Sequence, residues 1–158
     1  MFDDATTRHL HSGCALLVGT VSADGVPHAS RGHGCRVLAG EPPRLRLIVP
    51  GDDERLLDNL RTTGVVAVTT ADVATLHSVQ CKGRASAVEA ATDEDRATAA
   101  RYTEQFVDDI VHTDRHRREM VETWATSASS LVACVVEVTE MFDQTPGPGA
   151  GTTWGARR

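Results

Sequence analysis

Lysine is almost missing from this chain: Lys82 stands alone beside 15 arginines in 158 residues. Acidic residues outnumber basic ones, 22 to 16, for a formal net charge of −6. That excludes the broad cationic surface of a general nucleic-acid binder. The arginine bias, in an alanine-rich chain, reads as codon usage rather than as a collective phosphate grip. No apolar run approaches the ~20 residues that a membrane-spanning helix needs. The four cysteines, Cys14, Cys35, Cys81 and Cys134, form no C-x-x-C pair, which excludes zinc-ribbon and dithiol redox spacings. G-x-G-x-x-G, P-loop, Ser-His-Asp and paired-carboxylate patterns are all lacking, so a ligand phosphate must be held by side chains and strand amides. The start, Met1-Phe2-Asp3-Asp4, is acidic where a secretory signal is basic, and the expected location is the cytoplasm.

What is present is a series of β-type runs with helices between them. Hydrophobic residues make up 41%, enough for one core. The segment Gly19 to Arg36 carries the most information. Ser22-Ala23-Asp24-Gly25 has the chemistry of a tight turn. Arg31, His33 and Cys35 then fall at period two, which predicts one shared strand face. A cation, an imidazole and a thiol together point to a small-molecule site on a β scaffold. Further strands are expected over 13–21, 44–49, 64–70, 75–88 and 130–140, with 26–38 as one continuous second strand. Helices are expected over 3–11, from Asp52 or Asp53 to about 61, over 92–107 behind a Thr92 cap, and over 114–124. Gly83 marks a bulge or a close approach. Cys14 and Cys134 lie in apolar runs and belong in the core. Six strands, the first three with no helix between them, predict a mainly β fold closing into a small antiparallel barrel. The single domain spans 1–142, and a Gly- and Pro-rich tail follows over 143–158.

Several pieces, taken in order, resemble one family. They are Asp24-Gly25-Val26-Pro27, Arg31, Leu56-Leu57-Asp58-Asn59-Leu60, Gly64 to Val68, Ser78 to Ala85, and Asp143 to Gly151. The set is similar to the pyridoxamine 5'-phosphate oxidase-like, FMN-binding split barrels. The resemblance implies a six-stranded antiparallel split β-barrel that forms a homodimer, with FMN in a groove at the dimer interface. It places the flavin ring along Arg31, Gly32 and His33, with Val49 and Pro50 over part of it and Ser78 as a further contact. It implies a flavoprotein oxidoreductase acting on a small-molecule substrate, without designating a catalytic residue. A deazaflavin is the variant cofactor.

One departure bears on the cofactor. The family carries basic residues upstream of the helix asparagine, here Asn59, to grip the phosphate; this chain has Asp52 there. Like-charge repulsion at ~4 Å in a partly exposed site is on the order of 4 kcal/mol. Arg55, Lys82 or Arg31 are the cations able to compensate.

Two other readings stay open on the sequence. His33 with Cys35, and His77 with Cys81, form two His/Cys sets whose convergence would hold a metal or haem. A dimer that kept the barrel without a cofactor would bind a small ligand instead. Arg115 to Arg118 reads as a solvated helix face. Trp154, Arg157 and Arg158 are candidates to fold over a groove.

Overall fold

The helices begin where side chains accept hydrogen bonds from the first turn. In the computed structural model, which describes residues 2–125 and 130–154, Asp3 accepts from the Thr6 N–H and caps α1 (Asp4–His11). Asp53 accepts from the Leu56 N–H and caps α2 (Glu54–Thr62). Thr92 and Asp95 form a reciprocal capping box at α3 (Asp93–Asp114). α3 runs past the expected end at Val107, because Ile110 and Val111 continue its apolar contacts. It stops at Arg115 in the left-handed conformation, and α4 (Arg118–Ala125) follows. Arg115 to Arg117 are therefore a connection rather than a helix face.

Eight strands are present among the described residues: β1 (Ala15–Val21), β2 (Pro27–Arg31), β3 (Gly34–Leu38), β4 (Arg44–Pro50), β5 (Val65–Ala71), β6 (Ser78–Ala90), β7 (Leu131–Asp143) and β8 (Thr152–Thr153). All pairings are antiparallel. The order is β2-β1-β5-β6-β7-β4-β3, with β8 added to β7. The two edge strands, β2 and β3, are consecutive in sequence. They are the halves of the expected second strand, broken at Gly32-His33. The chain leaves the β1 edge there and joins the β4 edge, so the sheet closes on itself. Counting β2 and β3 as one strand with a corner gives the expected six-stranded barrel, and β8 adds a short tail strand.

The corner has a steric cause. The Gly32 N–H donates to Leu16 O at 2.9 Å, and the His33 N–H donates to Ile48 O at 2.8 Å. A Cβ at Gly32 would overlap the Leu16 side chain. A second glycine works similarly at Gly83, where β6 shifts register against β7 and a Cβ would overlap Glu137 O. Inside the barrel lie Leu16, Val18, Leu45, Leu47, Val66, Val68, Val136 and Val138. Cys14, Cys35, Cys81 and Cys134 are all free and buried there. A smaller second cluster, Phe106, Val107, Val121 and Ala125, joins α3 to α4. No helix among the described residues is long and apolar enough to cross a membrane.

Candidate functional site

The break between β2 and β3 re-aims the three residues expected on one face. Cys35 is fully buried in the barrel, where its thiol donates to Leu10 O at 3.1 Å. Burial raises the Cys35 thiol pKa far above its ordinary value. Arg31 instead reaches the α3–α4 pair. Its guanidinium carbon lies 4.6 Å from the Phe106 ring centroid and 5.7 Å from that of Trp124. One of its N–H groups donates to Trp124 O at 3.3 Å. Burial alone shifts its pKa, downward. Among the described residues no carboxylate pairs with it.

His33 stands between two openings. On one side is a narrow cleft shared with Arg31, Gly32, Cys14 and Tyr102. On the other is a groove of about 610 Å³ along α3 and α4. Ala99, Ala100, Val107 and Leu131 give its lining an apolar part, and Arg96, Glu104, Arg118 and Glu122 give it a charged part of both signs. Its size suits an organic ligand. Burial and the nearby Arg31 charge lower the His33 pKa, and Asp52 opposes them. The imidazole is therefore held toward its neutral form. Arg118 is already paired with Asp108 and Glu122, and Arg96 with Asp93.

The start of α2 is filled by the chain itself. Asp53 caps the helix and meets the His28 Nε2 at 2.9 Å. Burial pushes the Asp53 carboxyl up, but hydrogen bonds from His28, the Leu56 N–H and Ser30 outweigh it and hold it below its ordinary pKa. With Asp52 beside it, this end does not fit a phosphate.

The other expected site residues are scattered in the single chain. Val49 is fully buried in the core. Pro50 is half-buried and pairs in register with Leu131, which lines the groove. Arg55 is exposed on α2. Ser78 is buried at the start of β6, where its hydroxyl donates to Leu76 O and its N–H donates to Thr145 Oγ1. Lys82 lies on the outer sheet face, over the Phe142 ring. So Arg31, Gly32, His33 and the end of β4 come together, and Arg55, Ser78 and Lys82 do not join them.

The metal alternative loses its geometry. Cys35 and Cys81 are in the core, whereas His77 bonds Thr145 Oγ1 and packs its ring edge-on against His9. Among the described residues no group of three or more His, Cys, Asp or Glu is placed to hold a metal ion. Trp154 packs on the barrel core near His77, and Arg157 and Arg158 lie outside the described residues. Sequence reasoning missed Phe106 and Trp124. The available signal was their scarcity: the chain has only 3 Phe, 2 Trp and 1 Tyr.

No protein-family model matches the sequence, and no curated protein does. Solved structures do match its fold. HupZ of Group A Streptococcus superposes with a TM-score of 0.56 at 14% identity, covering 96% of this chain and 100% of that one. An F420 reductase superposes at 0.55 with 16% identity, covering 89% and 98%. A pyridoxamine 5'-phosphate oxidase-related, FMN-binding protein from Nostoc punctiforme superposes at 0.51 with 13% identity, covering 92% and 84%. The chain has their fold. This bears out the split-barrel architecture and leaves the chemistry to be argued from the site.

Proposed function

We propose that this protein binds FMN in the groove beside His33 and works as an oxidoreductase on a small-molecule substrate, as a homodimer. The observation that carries the reading is Arg31, a half-buried cation with no described carboxylate partner, in the narrow cleft that shares His33 and Thr103 with the ligand-sized groove. The fold agrees with it, since an FMN-binding protein and an F420 reductase share it. The apolar part of the lining suits a flavin ring; a deazaflavin fits on the same grounds. Bound FMN would supply the hydride or electron transfer. This chain's residues bind and orient it: Arg31 meets its anionic end, and His33 offers a neutral imidazole at the groove wall.

A second copy of the chain fits the outer face of β1, β5 and β6. Leu17 and Val65 are exposed there, and Gly19, Ala67, Lys82 and Glu140 lie in one row across the sheet. Light scattering is expected to give a dimer for the native chain and a monomer for Ala67→Glu; a native monomer would refute the dimer.

Absorbance spectra and titration of the purified protein test the cofactor. Saturable binding of FMN, or of F420, is the expected result. Uptake of haem with a Soret band and no flavin binding would overturn the reading and move His33 into the role of an iron ligand. A protein that takes up none of the three would be a ligand-binding dimer without a cofactor.

A further inference from the structure

Three features near the groove could receive a ligand's anionic group, and two are already used. The corner amides are spent, because the Gly32 and His33 N–H groups donate to Leu16 O and Ile48 O. The α2 N-terminus is spent, because Asp53 occupies it and pairs with His28. The third is Arg31. Aromatic faces attract a guanidinium without neutralising it. A guanidinium held by its faces also keeps its N–H edges available. Arg31 gives one of its N–H groups to Trp124 O. By contrast, the arginines that line the groove itself, Arg96 and Arg118, already face carboxylates.

We propose that Phe106 and Trp124 are positioning residues that keep Arg31 open as an oxyanion receptor in the cleft that adjoins the groove at His33 and Thr103. The group received is a phosphate or a carboxylate of the molecule bound there. Only the identity of that molecule rests on the flavin reading. Phe106 is buried and fixes one side of the guanidinium; its ring meets Trp124 edge-on at 5.9 Å between centroids. Trp124 is more exposed, at 44%, and forms the outer side. An anion drawn to Arg31 therefore changes the surroundings of the Trp124 indole.

Inorganic pyrophosphate probes this directly in full-length protein carrying Trp154→Phe, which leaves Trp124 as its one tryptophan. The titration runs against sodium chloride of equal ionic strength. A saturable change in Trp124 emission is expected, abolished by Arg31→Gln and weakened about tenfold in affinity by Phe106→Leu. Phe106→Tyr, which keeps the ring face, is expected to restore binding to within about threefold of the parent. No response beyond that of chloride, or an equal response in Arg31→Gln, would overturn the receptor. Equal affinity in Phe106→Leu would overturn the positioning role. Should Phe106→Leu fail to fold, Trp124→Leu read by phosphorus NMR of pyrophosphate makes the same comparison. Pyrophosphate binding at Arg31 without FMN binding would keep this inference and remove the flavin reading; FMN binding that Arg31→Gln leaves intact would do the reverse.

Discussion

At its first turn α3 meets arginines with carboxylates; toward its other end it meets one with a ring. Asp95, with no exposed surface, accepts from the Arg46 Nε at 2.8 Å and Nη2 at 2.7 Å, and from Arg36 at 3.2 Å. Glu89 takes a further Arg46 donor at 3.0 Å, and Glu94 pairs with Arg36. The hydrogen bond from Arg46 leads the forces that hold the Asp95 carboxyl far below the ordinary carboxylate range, against the effect of burial. Eleven residues along the same helix, Phe106 holds Arg31 by its face alone. The two regions use one residue type for opposite ends. A charge matched by carboxylates ties the helix to the barrel. A charge cradled by rings stays available to a ligand.

The sharpest way to break the comparison is to remove the acid at one end. Asp95→Ala leaves two arginines without their shared partner, and urea unfolding should show a loss of about 3–5 kcal/mol. At the other end, Arg31→Gln should cost about 1 kcal/mol or less of stability, the scale of a partly exposed cation–π contact. Its effect should fall on ligand affinity instead. Similar stability losses for the two variants would erase the distinction.

Acid titration sharpens the same contrast. The Asp95 pKa is lowered on folding, so its contribution is fully present above the ordinary value of 3.8 and is lost as pH falls below it. That loss should disappear in Asp95→Asn, while Arg31→Gln should keep it. A smaller loss should set in at higher pH. Burial lowers the pKa of His9 below 6.5, and the neighbouring His77 adds to the shift. The unfolded chain therefore takes that proton first, and stability declines as pH falls through 6.5. Denaturation midpoints of native protein and His9→Gln between neutral and mildly acid pH check this; identical slopes would contradict it.

Much of the fold was legible because local signals agreed. The alternation of β4, the apolar runs of β1, β5 and β7, and the Thr92 and Asp53 caps each name their element without tertiary information. Gly83 announced its bulge. The second strand misled because its period-two pattern runs straight through Gly32-His33, while the corner is imposed by distant partners, Leu16 and Ile48. The site was legible to the same extent. Arg31 and His33 stood out as polar residues on an apolar scaffold. Phe106 and Trp124 did not, because at helical spacing they look like core; only the packing of α3 and α4 on the corner turns them toward Arg31. Ser78 and Lys82 were expected at the site through the resemblance, and the single chain leaves both away from the groove.

The most direct test is the dissociation constant for FMN, measured by calorimetry at fixed ionic strength for native protein and Arg31→Gln. The account predicts saturable binding by the native chain and affinity at least about tenfold weaker in the variant. Equal affinities would contradict it, and would show that the ring-held arginine is as structural as the acid-held ones.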